Sequence, residues 1–194
     1  MLTKITNVRL IAPYDRFLKF IIPLIPERVK PNHITMVRLL GSPILISWMI
    51  AGKYNWSIIL FVCLAFTDML DGALARGRNQ ITEWGKLWDP IADKMLVGSV
   101  VVVLLMKVNL TLTILILTFE LAFILGGTFQ KMRTQDVDIK ANTWGKIKMN
   151  LQCFASGFLL LGFMLQLAPL VFLSSILFYL AIFFAIMSLF TKGI

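Results

Sequence analysis

The chain has 194 residues, 58% of them hydrophobic and only 15% charged, with a formal net charge of +9 and a mean hydropathy of +0.83. That balance excludes a water-soluble globular domain, which needs more polar surface, and places the chain in a bilayer. The positive charge does not signal nucleic-acid binding, because no basic stripe with interleaved stacking aromatics accompanies it.

Residues 1–30 lack the basic start, compact apolar run and small-residue cleavage site of a signal peptide, so they are expected to remain in the mature protein. Phe17, Phe20, Ile21 and Leu24 recur at helical spacing, with Asp15, Arg16 and Lys19 on the other side. This predicts an amphipathic helix lying in the headgroup region.

Beyond it, a hydrocarbon core about 30 Å thick needs roughly 20 apolar residues per helix. Six stretches meet that need, at 33–51, 56–76, 86–106, 109–129, 146–167 and 170–190. The expected fold is all-α: an interfacial amphipathic segment over 1–30, then a single polytopic domain over 31–194 with six transmembrane helices. Of the 19 Lys and Arg, all but Lys53 and Lys107 then fall on the side carrying both termini. By the positive-inside tendency that side is cytoplasmic, and its basic residues serve topology and contact with anionic membrane lipid. Trp56, Trp84 and Trp144 sit near span ends as interfacial anchors. Cys63 and Cys153 fall within spans, without metal-ligand spacing, and read as apolar filler.

Acidic side chains are costly at membrane depth, so each one there asks for a function. The second span ends in FTDMLDGALAR, with Asp68 and Asp71 three residues apart and therefore on one helix face. The third begins GKLWDPIADK, with Asp89 and Asp93 four apart, again on one face. A short connection would fold these helices into a hairpin and bring both acidic faces together near the cytoplasmic surface. Four converging carboxylates need cations, and oxygen-only donors without His or Cys favour Mg²⁺ or Mn²⁺ over zinc. A two-metal site of this kind suits a displacement at phosphorus. Gly72 and Ala75 let a backbone or ligand approach closely, and Arg76 is placed to meet phosphate oxygens. Two other readings stay open on these residues alone. The acids can pair with Arg76, Arg78, Lys86 and Lys94 as a structural clasp, or they can line a cation or proton pathway of a transporter.

Asp68, Asp71, Gly72, Ala75, Arg76, Gly85, Asp89 and Asp93 together spell D-x2-D-G-x2-A-R-x8-G-x3-D-x3-D without gap or substitution. This resembles the signature of the CDP-alcohol phosphatidyltransferases, and PNHITMVR at 31–38 is similar to the stretch that opens the first span in many members. The resemblance implies a metal-dependent phosphotransferase of phospholipid biosynthesis, in which an acceptor hydroxyl attacks the lipid-linked phosphorus of CDP-diacylglycerol and CMP leaves. It implies that Asp68, Asp71, Asp89 and Asp93 surround two metals, that Asp93 is also the general base, and that Gly72, Ala75, Arg76 and Gly85 border the CDP moiety. It further implies a homodimer in a bacterial inner membrane, with the active site on the cytoplasmic side.

For the acceptor, GKLWDPIADK and GKIK at 145–148 resemble the phosphatidylglycerophosphate synthases of the family, whose acceptor is glycerol 3-phosphate. Lys146, Lys148 and Arg38 are then the candidate cations for its phosphate, although flanking lysines also serve the positive-inside pattern. One departure stands out. That group commonly carries an Arg-Glu-Phe run in the fourth span and a further arginine about two turns later, where this chain has Phe119, Glu120 and Leu121 and then Gly126 or Gly127. A cardiolipin-synthase type of acceptor, phosphatidylglycerol, is the nearest alternative. Glu120, in the fourth span, can orient a lysine, bind an acceptor hydroxyl or pair with Arg38 across the bundle, and the pairing is the favoured reading. His33 is expected at a headgroup rather than on a metal.

Overall fold

A computed structural model describes residues 30–77, 83–133 and 143–191, and these are helical throughout apart from short turns. The interfacial helix expected before residue 30, and the loops expected at 77–85 and 130–145, lie largely or wholly outside the described residues. The helices are α1 (Pro31–Ile50), α2 (Tyr54–Gly77), α3 (Glu83–Val100), α4 (Met106–Val108), α5 (Leu110–Arg133), α6 (Thr143–Leu165) and α7 (Ala168–Thr191), with a π-helical turn at Val101–Leu105 joining α3 to α4. Pro31 occupies the first position of α1, where its missing N–H costs nothing and its fixed φ suits the helix. Gly52, in the middle of the α1–α2 connection, has a φ of +70° and donates its N–H to the Met49 carbonyl. Between α6 and α7, Gln166 adopts φ +56° and the Leu167 N–H reaches back to the Gly162 carbonyl at 3.0 Å. That bond closes the helix end in the manner of a Schellman motif and permits a very short hairpin.

Among the described residues, four stretches are long and apolar enough to cross a membrane: Pro31–Ile50, Tyr54–Gly72, Thr143–Leu165 and Ala168–Leu189. The other two expected spans are helical but fall short of that measure. α3 begins with Glu83, Lys86, Asp89, Asp93 and Lys94, and the apolar part of α5 is confined to Leu110–Gly126. The protein is therefore an all-helical integral membrane protein.

The described residues form two compact units, one containing the chain up to Trp48 together with Ile59–Ser99, the other containing Met49–Ile58 and the chain from Val100 onward. In the first unit Leu45, Phe61, Leu64, Leu74, Ala92 and Leu96 are buried, and so are the polar Thr35, Arg38, Ser42 and Asp71. Leu40 and Val62 are exposed there. Polar groups inside with large apolar groups outside is the arrangement a lipid solvent favours. Gly41 on α1 faces Leu64 of α2 so closely that a Cβ would stand 2.7 Å from that side chain. Small residues of this kind let helices approach where lipid supplies no hydrophobic drive for association.

In the second unit the π-helical turn buries Val101, Leu104 and Leu105, which join a core that includes Leu112, Leu159, Leu160, Phe178 and Ala181. α6 and α7 pack along their length, and Gly162 is where their backbones come nearest. A Cβ on Gly162 would stand 2.8 Å from Val171 Cγ2 and 3.1 Å from the Val171 backbone nitrogen. Near the start of α6, Trp144 stacks on Phe184 with ring centroids 5.7 Å apart.

Candidate active site

The polar heart of the first unit is built by three helices. α2 carries Asp68 and Asp71, α3 carries Asp89 and Asp93, and α1 faces them with Thr35 and Arg38, three residues apart and hence on one face. Arg38 is completely buried. Its Nη2 lies 2.6 Å from Asp71 Oδ2, and its Nη1 lies 2.8 Å from Asp93 Oδ1 and also pairs with Asp68. Thr35 Oγ1 donates to Asp89 Oδ1 at 2.7 Å, and Asp71 Oδ2 lies 3.4 Å from the same hydroxyl. Two residues of α1 thus reach all four aspartates. The acids differ in exposure: Asp71 is 4% accessible, whereas the Asp68 side chain is 36% accessible.

One guanidinium cannot neutralise four ionised carboxylates, so the cluster retains a strong demand for cations. Its donors are oxygens only, which suits a hard divalent ion such as Mg²⁺ or Mn²⁺. With the guanidinium of Arg38 between them, no three acidic, His or Cys side chains among the described residues are set as a ready metal cage. The donor chemistry fits a divalent metal, and the spacing seen here is the spacing around a guanidinium.

The remaining expected site residues are placed as follows. Gly72 follows Asp71 directly and is half-buried, and Gly85 is buried in the first turn of α3. Of Ala75 and Arg76 only the helical backbone of the last turns of α2 is described. Lys146 is exposed on α6, whereas Lys148, two residues further along the helix, is buried within the second unit. Lys148 Nζ lies 2.5 Å from Glu120 Oε1 of α5 and 4.3 Å from the centre of the Phe123 ring. Gln152, four residues further along α6, donates to the same Glu120 oxygen at 3.0 Å. His33 is exposed at the start of α1.

The favoured pairing of Glu120 with Arg38 is corrected by these contacts, which match the alternative in which Glu120 orients a lysine. Arg38 has its ion pairs with Asp68, Asp71 and Asp93, and Glu120 has its ion pair with Lys148. The reason is local: α2 and α3 offer the guanidinium three carboxylates at once, while α6 brings an ammonium and an amide to Glu120 from one face. Sequence reasoning missed Thr35 and Gln152 altogether. The available signal was the spacing of Thr35 to Arg38 and of Lys148 to Gln152, each placing two polar side chains on one face of an apolar helix.

Four aspartates gathered on one face around a buried arginine give this integral membrane protein a charged centre within its first unit. The model of one family, CDP-alcohol phosphatidyltransferase, matches residues 28–187. The chain belongs to that family and is a transferase. It is 35% identical over 138 residues to the CDP-diacylglycerol–glycerol-3-phosphate 3-phosphatidyltransferase of Rickettsia felis, an alignment covering 68% of this chain and 75% of that protein. It is 28% identical over 165 residues to the protein of the same name from Mycoplasma pneumoniae, covering 70% and 72% of the two chains. A probable phosphatidylglycerophosphate synthase of Mycobacterium tuberculosis is 35% identical over 141 residues, covering 67% of this chain and 65% of that one.

Proposed function

We propose that the chain transfers the phosphatidyl group of CDP-diacylglycerol to glycerol 3-phosphate, giving phosphatidylglycerophosphate and CMP. The observation that carries the reading is the convergence of Asp68, Asp71, Asp89 and Asp93 on one buried face of α1. The acceptor rests on the names of the relatives from Rickettsia felis and Mycoplasma pneumoniae.

In this reading the four aspartates hold Mg²⁺ or Mn²⁺. A divalent ion held there would supply charge to offset the pyrophosphate and the negative charge that develops at phosphorus. Asp93 takes the proton of the acceptor hydroxyl as its oxygen bonds to the lipid-linked phosphorus, and the bond from that phosphorus to the CMP oxygen breaks. Gly72, Ala75, Arg76 and Gly85 border the CDP moiety. Lys146, Lys148 and Arg38 are the cations available to the acceptor's phosphate, with Lys148 held by Glu120 and Gln152.

The same reading keeps six spans, with α3 running on through the π-helical turn and with α5 as the fourth. It also keeps the 31–194 catalytic domain, the interfacial segment before it, both termini and the site on the cytoplasmic side of a bacterial inner membrane, and a homodimer. The distribution of Lys and Arg supports the orientation.

The test is CMP release by purified protein supplied with CDP-diacylglycerol and Mn²⁺, with glycerol 3-phosphate, phosphatidylglycerol or inositol phosphate added separately. Release with glycerol 3-phosphate alone is expected. Release with phosphatidylglycerol instead would move the chain to the cardiolipin-synthase type.

A further inference from the structure

Arg38 presents a problem that its possible contact with an acceptor does not resolve. Its guanidinium is fully buried and sits among three of the four aspartates, where a divalent ion is proposed to bind. While Arg38 holds Asp68 Oδ1, Asp71 Oδ2 and Asp93 Oδ1, each of these carboxylates has only its second oxygen free for a metal, and the buried guanidinium beside that oxygen repels the ion. Nor can the four acids stand together ionised in a membrane protein without any cation, because mutual repulsion and desolvation both oppose it.

The contacts divide the work between two residues of α1. Arg38 holds Asp68, Asp71 and Asp93, while the Thr35 hydroxyl holds Asp89. The fit to the guanidinium is incomplete: Arg38 Nε is buried and has no hydrogen-bond partner among the described residues. An unsatisfied buried donor makes this arrangement easier to give up than a fully paired one. Consistent with that, the acids as spaced around Arg38 form no metal cage among the described residues.

We infer that Arg38 is the resident counter-ion of the carboxylate site when no divalent metal is bound, and that metal loading is an exchange in which the guanidinium gives up Asp68 and Asp93. This rests on the proposed function insofar as the four aspartates take a divalent ion. The exchange supplies two properties. It keeps the hairpin of α2 and α3 closed in the metal-free protein, and it discriminates by charge. A monovalent ion brings no more charge than the guanidinium and none of its hydrogen bonds, whereas a divalent ion brings a second charge to oxygens that still lack it. Since the two cations compete, removing one must tighten the other.

The experiment uses the purified full chain in detergent without substrates. Mn²⁺ binding is followed by electron paramagnetic resonance, and thermal unfolding is followed in EDTA and in saturating Mn²⁺, for the wild type, Arg38→Ala, Arg38→Lys and Asp93→Asn. Arg38→Ala is expected to bind Mn²⁺ about tenfold more tightly or better, within the usual range of coupling between sites. It should unfold earlier than wild type in EDTA and lose most of that difference in Mn²⁺. Methylguanidinium should restore its stability in EDTA in a saturable way, and Mn²⁺ should displace it; simple charge repulsion at a distance would give no such rescue. If Arg38→Ala does not fold, Arg38→Lys carries the test, since it keeps the charge but loses the fork, and a gain in Mn²⁺ affinity is again expected. Wild-type Mn²⁺ binding that Asp93→Asn weakens, with no gain in either Arg38 variant, overturns the exchange and leaves the metal site standing. No Mn²⁺ binding by the wild type, or binding indifferent to Asp93→Asn, overturns the metal site and the exchange together.

Discussion

Thr35 Oγ1 on α1 donates to Asp89 Oδ1 on α3 at 2.7 Å, the contact that ties the one aspartate of the four that makes no ion pair with Arg38 to the same helix as the other three. A hydrogen bond to a charged group contributes about 1.5–3 kcal/mol. Thr35→Val preserves shape but removes the donor, and turnover is expected to fall about tenfold or more through misplacement of Asp89. Thr35→Ser keeps the hydroxyl and should retain most of the activity. Steady-state kinetics on the two variants separates loss of the donor from loss of the methyl group.

Chelation should act at the level of substrate binding as well as chemistry. A cluster of four carboxylates repels a pyrophosphate unless a cation bridges the two. CDP-diacylglycerol binding is therefore expected to weaken strongly in EDTA and to return when Mn²⁺ or Mg²⁺ is added in excess. A binding isotherm measured in detergent with and without chelator checks this, and equal affinity in both would remove the bridge.

The ion pair of Lys148 with Glu120 is largely buried, with side-chain exposures of 9% and 19%. Breaking such a pair from one side leaves an uncompensated charge, at a cost of about 3–5 kcal/mol, whereas replacing both partners by apolar residues is often close to neutral. Lys148→Met is expected to lower the thermal midpoint in detergent markedly. The double variant Glu120→Leu with Lys148→Met should recover most of it.

The two close-packed glycines should differ. At Gly162 an added Cβ meets the Val171 backbone nitrogen at 3.1 Å, which can yield only if α6 and α7 separate. At Gly41 the nearest atoms are all in the Leu64 side chain, which can turn aside. Gly162→Ala is expected to destabilise by about 1–3 kcal/mol, the usual range for overpacking. Gly41→Ala should cost less, and thermal unfolding of the two variants compares them directly.

How far the sequence discloses this site follows the range of the interactions involved. Asp68 with Asp71 and Asp89 with Asp93 are visible because i,i+3 and i,i+4 spacing is a local property of a helix, and because acids in apolar surroundings are conspicuous. The choice of cation is not local. Arg38 lies 30 residues before Asp68 in the chain, and nothing in its neighbourhood distinguishes Asp68 from Glu120 as a partner. Only the packing of α1 on one acidic face decides it. The helices themselves are legible from apolar length, and α3 is the instructive case: the charges that mark the site are the same ones that keep its opening turns from meeting the measure of a span.

The central claim is that these aspartates carry out the transfer and do not merely clasp the helices. Asp93→Asn tests it most directly, measured as CMP release from CDP-diacylglycerol with glycerol 3-phosphate and Mn²⁺, on protein whose fold is verified by thermal unfolding. The account predicts a loss of about a thousandfold or more, within the range for removal of a general base together with a metal ligand, from a protein that still folds. Substantial turnover by Asp93→Asn would contradict it.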